Sequence, residues 1–309
     1  TSGSTGKPKG VMVEHGGVVN LLHGMTCRGY PPGPARFGIS INYIFDPFVC
    51  CVFGTLAALA GTCVLLQDNV ELLNLSTEGP IDLTHLSDVP SVVSLADIPR
   101  SVTWIESGGE ALTQAVLENV PTRVKLFNVY GPTEVTIASI GKLIRRAEGR
   151  LTSIGKPLPN VTCYVVDPAA STTSSATPAP LLQPIGVWGE LWLGGVQVAR
   201  GYLNRPELTA ERFVRNPWAE TDPSGRGVAY RTGDRVRWCA PVGIGRKGRC
   251  TDQHHRACRC LGWADQALQG CVCGARGPIQ HVTSSYLPIR PSPGTPTASS
   301  SSAGGSTSR

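Results

Sequence analysis

Apolar positions over residues 1 to 160 fall in short β-rich runs and helical stretches separated by Gly/Pro-marked turns, the alternation expected of an α/β layered structure. Val18 to Gly24 predicts a helix after a Gly-rich start, Gly38 to Tyr43 and Thr62 to Leu66 predict strands, and Ala111 to Asn119 predicts a helix. Val124 to Val129 reads as a buried strand running into the turn Tyr130-Gly131-Pro132. From Val161 the pattern changes to paired strands, Thr162 to Val166 and Gly189 to Leu193, around the Pro/Ser/Thr/Ala-rich stretch Pro168 to Pro184. That stretch has too little apolar content to pack and reads as an exposed hairpin loop. After Trp238 the periodic signal fails, and Pro288 to Arg309 has the composition of a disordered segment. The organisation predicted is an α/β core over residues 1–160, a small β-rich subdomain over 161–238, and a degraded hinge with a largely disordered C-terminal tail over 239–309.

Composition changes this picture only in the tail. A chain of 309 residues with 41% hydrophobic content buries a large core. Its most apolar stretch, Tyr43 to Leu66, is broken by Asp46, Pro47, Gly54 and Gly61, so it reads as core and not as a membrane span. Residues 1–238 hold twenty Lys/Arg and twenty Asp/Glu, whereas 239–309 hold eight and two, so the whole excess of +6 lies in the tail. A balanced body is no polyanion binder, which argues against nucleic acid as a partner. Six of the 11 cysteines also lie in the tail. Cys250, His254, His255, Cys258, Cys260, Cys271 and Cys273 invite a zinc reading, but their Cys-x-Cys spacing is not that of a structural zinc knuckle. The chain opens at Thr1 inside a motif with no charged-then-apolar leader, so the default expectation is a cytoplasmic protein lacking its true start.

The opening residues Thr1-Ser2-Gly3-Ser4-Thr5-Gly6-Lys7-Pro8-Lys9-Gly10 combine glycines, small hydroxyls and two lysines. Glycines let backbone N–H groups approach an anion, hydroxyls add donors and lysines add charge, so the segment reads as a phosphate-binding loop. A Walker loop is excluded, because Thr1 stands where its first Gly belongs and Pro8 follows Lys7.

This segment resembles the phosphate loop of the adenylate-forming superfamily, and further motifs of that family follow in order. Asn128-Val129-Tyr130-Gly131-Pro132-Thr133-Glu134 is similar to its aromatic-Gly-x-Thr-Glu turn. Gly189 to Gly195 and Val198 to Thr209 resemble the next strand and loop, and Tyr230-Arg231-Thr232-Gly233-Asp234 its ribose-binding motif. Among the family's branches the chain most resembles the adenylation domains of nonribosomal peptide synthetases. The resemblance implies ATP bound by Thr1, Ser2, Gly3, Ser4, Thr5, Gly6 and Lys7, adenine on Tyr130 beside Gly131, the α-phosphate at Thr133, Mg²⁺ on Glu134 and the ribose on Asp234. Lys7, Thr133 and Glu134 are then the catalytic residues.

Phe45-Asp46 resembles the motif in which an Asp holds the α-ammonium of an amino acid, and a carboxylate in so apolar a stretch is costly without a cation. The resemblance implies a pocket of Asp46, Pro47, Cys50, Ser87, Ile105, Ser107, Val129, Ile137 and Ala138, small to medium in size, weakly polar and without a second charge. It further implies formation of aminoacyl-AMP and transfer to a carrier-domain phosphopantetheine beside condensation domains. An acyl-CoA ligase and a non-catalytic remnant that at most binds nucleotide are the alternatives. Beyond Trp238 the family's hinge is echoed only by Leu261 to Gly270, and its C-terminal lysine has no counterpart in the tail.

Overall fold

A computed structural model describes residues 8–30, 34–67, 69–75, 82–146, 151–168, 180–221, 226–239 and 271–274. The first helix, α1 (His15–Thr26), buries Gly17, Asn20, Leu21, Gly24 and Met25, a three-and-four spacing that lays one stripe against the interior. Both glycines on the stripe are contact points. A Cβ on Gly17 would lie 2.6 Å from the Thr136 hydroxyl oxygen, and one on Gly24 3.1 Å from Leu158.

Five parallel strands follow: β1 (Arg36–Ile39), β2 (Thr62–Leu65), β3 (His85–Asp88), β4 (Trp104–Gly108) and β5 (Lys125–Tyr130), in spatial order β2-β1-β3-β4-β5. β1 ends earlier than the apolar run predicts. Ser40 turns its hydroxyl to Asp88 (2.6 Å), and the Asn42 side chain accepts from the Ile44 N–H in a local turn that competes with the ladder. Helix α2 (Pro47–Phe53) opens with Pro at its first position and continues into a π-helical turn, Gly54–Ala58. Short helices α3 (Asn69–Leu73), α4 (Pro90–Val93) and α5 (Gln114–Asn119) complete the crossovers.

Alternation along the strands divides the sheet into two faces. On one, Leu86, Ile105 and Leu126 join Val93 and Val116 in the largest core cluster, under α4 and α5. On the other, Phe37 and Ile39 pack with Cys51 of α2.

The antiparallel strands β6 (Ile140–Leu143) and β7 (Ser153–Pro157) extend the sheet from β5. The β-rich half consists of β8 (Val161–Val166), β9 (Gly189–Gly195), β10 (Phe213–Arg215) and β11 (Val228–Cys239), with helix α6 (Pro206–Arg212) before β10. β8 and β9 pair antiparallel from Val161↔Gly195 to Val166↔Glu190, as the alternation predicts. The sequence pattern predicts no element beyond Trp238, yet Cys271–Gly274 forms β12, inserted antiparallel between β7 and β11. One ladder therefore runs through both halves, from β2 to β8. The loop residues Thr1 to Lys7 and the remaining cysteines and histidines of the tail lie outside the described residues. Among the described residues no helix is long and apolar enough to cross a membrane, and no group of His, Cys, Asp and Glu is arranged to hold a metal.

Candidate functional site

The site collects at the C-terminal ends of the parallel strands, where open α/β sheets gather ligands. β5 delivers Tyr130, and Gly131 follows because nothing larger fits: a Cβ there would lie 2.4 Å from the Ile137 carbonyl oxygen. The chain then makes a 3-10 turn, Thr133–Val135, and passes through left-handed conformations at Thr136 (φ 52°) and Ile137 (φ 69°), unusual for β-branched residues. Gln197 holds this turn. Its buried side-chain amide donates to the carbonyls of Val135, Thr136 and Ala138 at 3.3, 3.2 and 2.9 Å and accepts from Asn20 of α1 at 2.8 Å, while Thr136 donates to the Gln197 carbonyl at 2.6 Å.

Asp234 sits in β11, 104 positions beyond Tyr130, and the Tyr130 hydroxyl donates to its Oδ2 at 2.5 Å. Burial raises the Tyr130 hydroxyl pKa well above its usual value, and the Asp234 charge adds to it, so the phenol stays a donor. Glu134 is buried beside Lys9, whose Nζ lies 2.9 Å from Oε1. Tyr202 donates to the same oxygen at 2.6 Å, and Lys9 donates to the Tyr202 oxygen at 3.1 Å. Burial alone would push the Glu134 carboxyl up, but the Lys9 charge and the bonds from Tyr202 and Lys9 outweigh it and hold the pKa low. Glu134 is an ionised, hard oxygen donor, the chemistry a Mg²⁺ ion takes, although Lys9 already shares its charge.

Asp46 stands just before α2. Its Oδ2 is buried with no hydrogen-bond partner among the described residues. Burial raises its pKa above the usual Asp range, with Thr133 opposing and the Glu134 charge reinforcing the rise. Lys9, Glu134 and Tyr202 therefore form one hydrogen-bonded group, and Asp46 lies near enough for the Glu134 charge to act on it.

The remaining pocket positions do not form a single wall. Cys50, Ile137 and Ala138 pack together with Leu21 and Met25, and Pro47 opens α2. In the ladder Ser87 and Val129 lie on the face of Glu106, whereas Ile105 and Ser107 lie on the opposite face, Ile105 inside the main core cluster. The Ser107 hydroxyl is buried there without a partner among the described residues. Tyr202, Gln197, Arg28 and Glu106 receive no role from the sequence, and Lys9 only its share of the phosphate loop's charge. Lys9 and Tyr202 lie inside motifs already singled out, but nothing local signals Gln197, Arg28 or Glu106.

A family model described as AMP-binding enzyme matches residues 1–203. Tyrocidine synthase 3 of Brevibacillus parabrevis is 38% identical over 269 residues, covering 82% of this chain and 4% of that protein. Among solved structures, a four-domain nonribosomal peptide synthetase bound to AMP and glycine is 30% identical with a TM-score of 0.59, covering 75% of this chain and 17% of its own. A synthetase containing adenylation and PCP domains, bound to a vinylsulfonamide inhibitor, is 27% identical with a TM-score of 0.59, covering 77% and 41%. The chain thus spans only a few per cent of the length of curated relatives such as the tyrocidine synthase, 4% in that case.

Proposed function

Because the chain belongs to the AMP-binding enzyme family, we propose that it activates an α-amino acid with ATP, forming aminoacyl-AMP and releasing pyrophosphate. The observation that carries this reading is Asp46, whose buried Oδ2 lacks a partner among the described residues, near the Thr133 and Glu134 turn. A desolvated carboxylate oxygen calls for a cation, and the α-ammonium of an amino acid supplies one. A fatty acid would leave it unpaired, which disfavours the acyl-CoA ligase alternative.

In this reading Tyr130 offers adenine a face, Asp234 turns its carboxylate to the ribose hydroxyls, and Thr133 donates toward the α-phosphate. Glu134 would hold Mg²⁺, which supplies charge neutralisation on the phosphates when bound. Lys7 and the loop Thr1 to Gly6 would add the donors that sequence reasoning assigns them. Catalysis is then positioning and electrostatic stabilisation: Asp46 fixes the amino group so that the substrate carboxylate faces the phosphate held near Thr133. Similarity to peptide synthetases, one of them solved with adenylation and PCP domains, supports onward transfer to a carrier-domain phosphopantetheine in an assembly with condensation domains.

The test is amino-acid-dependent ATP–pyrophosphate exchange with Asp46→Ala. Loss of a charge-assisted bond worth about 1.5–3 kcal/mol lowers kcat/KM roughly tenfold or more. Exchange as fast in the variant as in the parent would refute the assignment.

A further inference from the structure

The sheet face that carries Ser87 and Val129 also carries Glu106, in register with Ser87 on β3 and Phe127 on β5. Arg28, just after α1, reaches it: Nη1 donates to Oε1 of Glu106 at 2.6 Å, and the two side chains are 2% and 5% exposed. The Tyr30 hydroxyl donates to the same oxygen at 2.5 Å, with its ring stacked on Trp104 at 4.4 Å. The Arg28 guanidinium lies 5.0 Å from the centre of the Phe127 ring. Its other polar atoms, Nε and Nη2, are buried with no hydrogen-bond partner among the described residues. Two desolvated guanidinium donors left unpaired by the described residues are costly, and a bound acceptor would relieve that cost.

Cys50 connects this group to Asp46. It lies four residues further along α2, about one turn or ~6 Å lower on the same helix face. Burial pushes its thiol up to about 12, and the charges of Glu106, Arg28 and Asp46 all reach it. Cys50 is itself buried, packed with Leu21, Met25 and Ala138, and a bulkier side chain at this position would stand between the ion pair and Asp46.

We propose that Arg28 and Glu106 form the floor of the amino-acid pocket and select a substrate side chain ending in a carboxamide, glutamine-like in kind. The proposal rests on Asp46 being the ammonium anchor. An aliphatic side chain would leave the Arg28 donors unpaired, and a carboxylate would set a second buried anion beside Glu106. A carboxamide offers its carbonyl to Arg28 and its N–H groups to Glu106, matching a pair that is neutral as a unit.

The test is pyrophosphate exchange by the intact chain with glutamine, glutamate and leucine, in the parent and two variants. Arg28→Met/Glu106→Met removes both charges together, since either single change strands the other charge in the interior. Cys50→Phe blocks the path from Asp46 to the floor. The expected result is a parent preference for glutamine over both competitors of roughly tenfold or more in kcat/KM, and loss of the glutamine-to-leucine ratio in both variants. A merely structural role would lower all substrates alike and leave that ratio standing. Leucine activated as well as glutamine by the parent, or a ratio unchanged in the variants, overturns the floor while leaving the adenylation reading intact. No exchange with any amino acid overturns that reading and the inference with it. If the double variant does not fold, the Cys50→Phe ratio decides.

Discussion

His85 and Asp88 occupy the two ends of β3, and burial moves them in opposite directions. It depresses the His85 imidazole from 6.5 to about 4, with Glu106 opposing, and lifts the Asp88 carboxyl from 3.8 to about 6. Between 6.5 and 4 the unfolded chain takes up a proton that folded His85 refuses, so this residue's contribution to stability shrinks as pH falls. Folded Asp88 instead keeps a proton that the unfolded chain has lost, so its contribution is complete below 3.8 and disappears as pH rises through about 6. The two slopes oppose each other across the shared window. In urea titrations, Asp88→Asn relative to the parent should lose roughly 2–3 kcal/mol between pH 6.5 and 4, and His85→Gln should shift the opposite way. A parent-to-variant difference that stays constant with pH contradicts both assignments. Residues with this kind of chemistry divide by how they appear in sequence. Asp46, Tyr130, Thr133, Glu134 and Asp234 stand in short motifs whose residue types declare their chemistry. Glu106 and Arg28 are 78 positions apart, and only the fold makes them a pair. For that reason the pocket inferred from sequence holds no second charge.

Elements were legible where burial follows a simple period. α1, β5 and the β8–β9 hairpin match their predicted spans to within a few residues, because their apolar positions recur at the helical or strand spacing. Ile105 and Ser107 were harder, because assignment to a pocket ignores which side of a strand a residue faces, and the register puts them opposite Ser87 and Val129. The turn after β5 was legible as a motif, but its support was not. The left-handed backbone of Thr136 and Ile137 is supported by Gln197, about sixty positions on, whose side chain gathers three carbonyls around them. Gln197→Leu removes those bonds and the one from Asn20, whose amide keeps its bond to the Pro159 carbonyl, a predicted cost of about 2–3 kcal/mol. It should also raise KM for the amino acid, since Ile137 and Ala138 share a cluster with Cys50. A variant with the parent's denaturation midpoint would show that the turn is held by something else.

At the scale of the molecule, the predicted division at residue 160 is a change of strand pattern but not a break in the hydrogen-bond ladder. β7 pairs with β6 on one side and β12 on the other, and β12 passes the ladder to β11. Composition hid this strand, since four residues in a basic, Cys-rich stretch carry no readable period. A chain ending at residue 270 should keep slow amide exchange in β1 to β5 and lose it in β7 and in Val236 to Cys239 of β11. Deuterium uptake followed by mass spectrometry reads this directly, and full protection of β7 in the shortened chain would remove β12 from the fold. The position of that strand also sets a timetable. Translation proceeds from the N-terminus at about 5–20 residues per second, so β7 leaves the ribosome roughly ten seconds before the strand that covers its free edge. During that interval the nascent chain carries an open edge in the middle of its future sheet, and a holdase chaperone has that long to bind it.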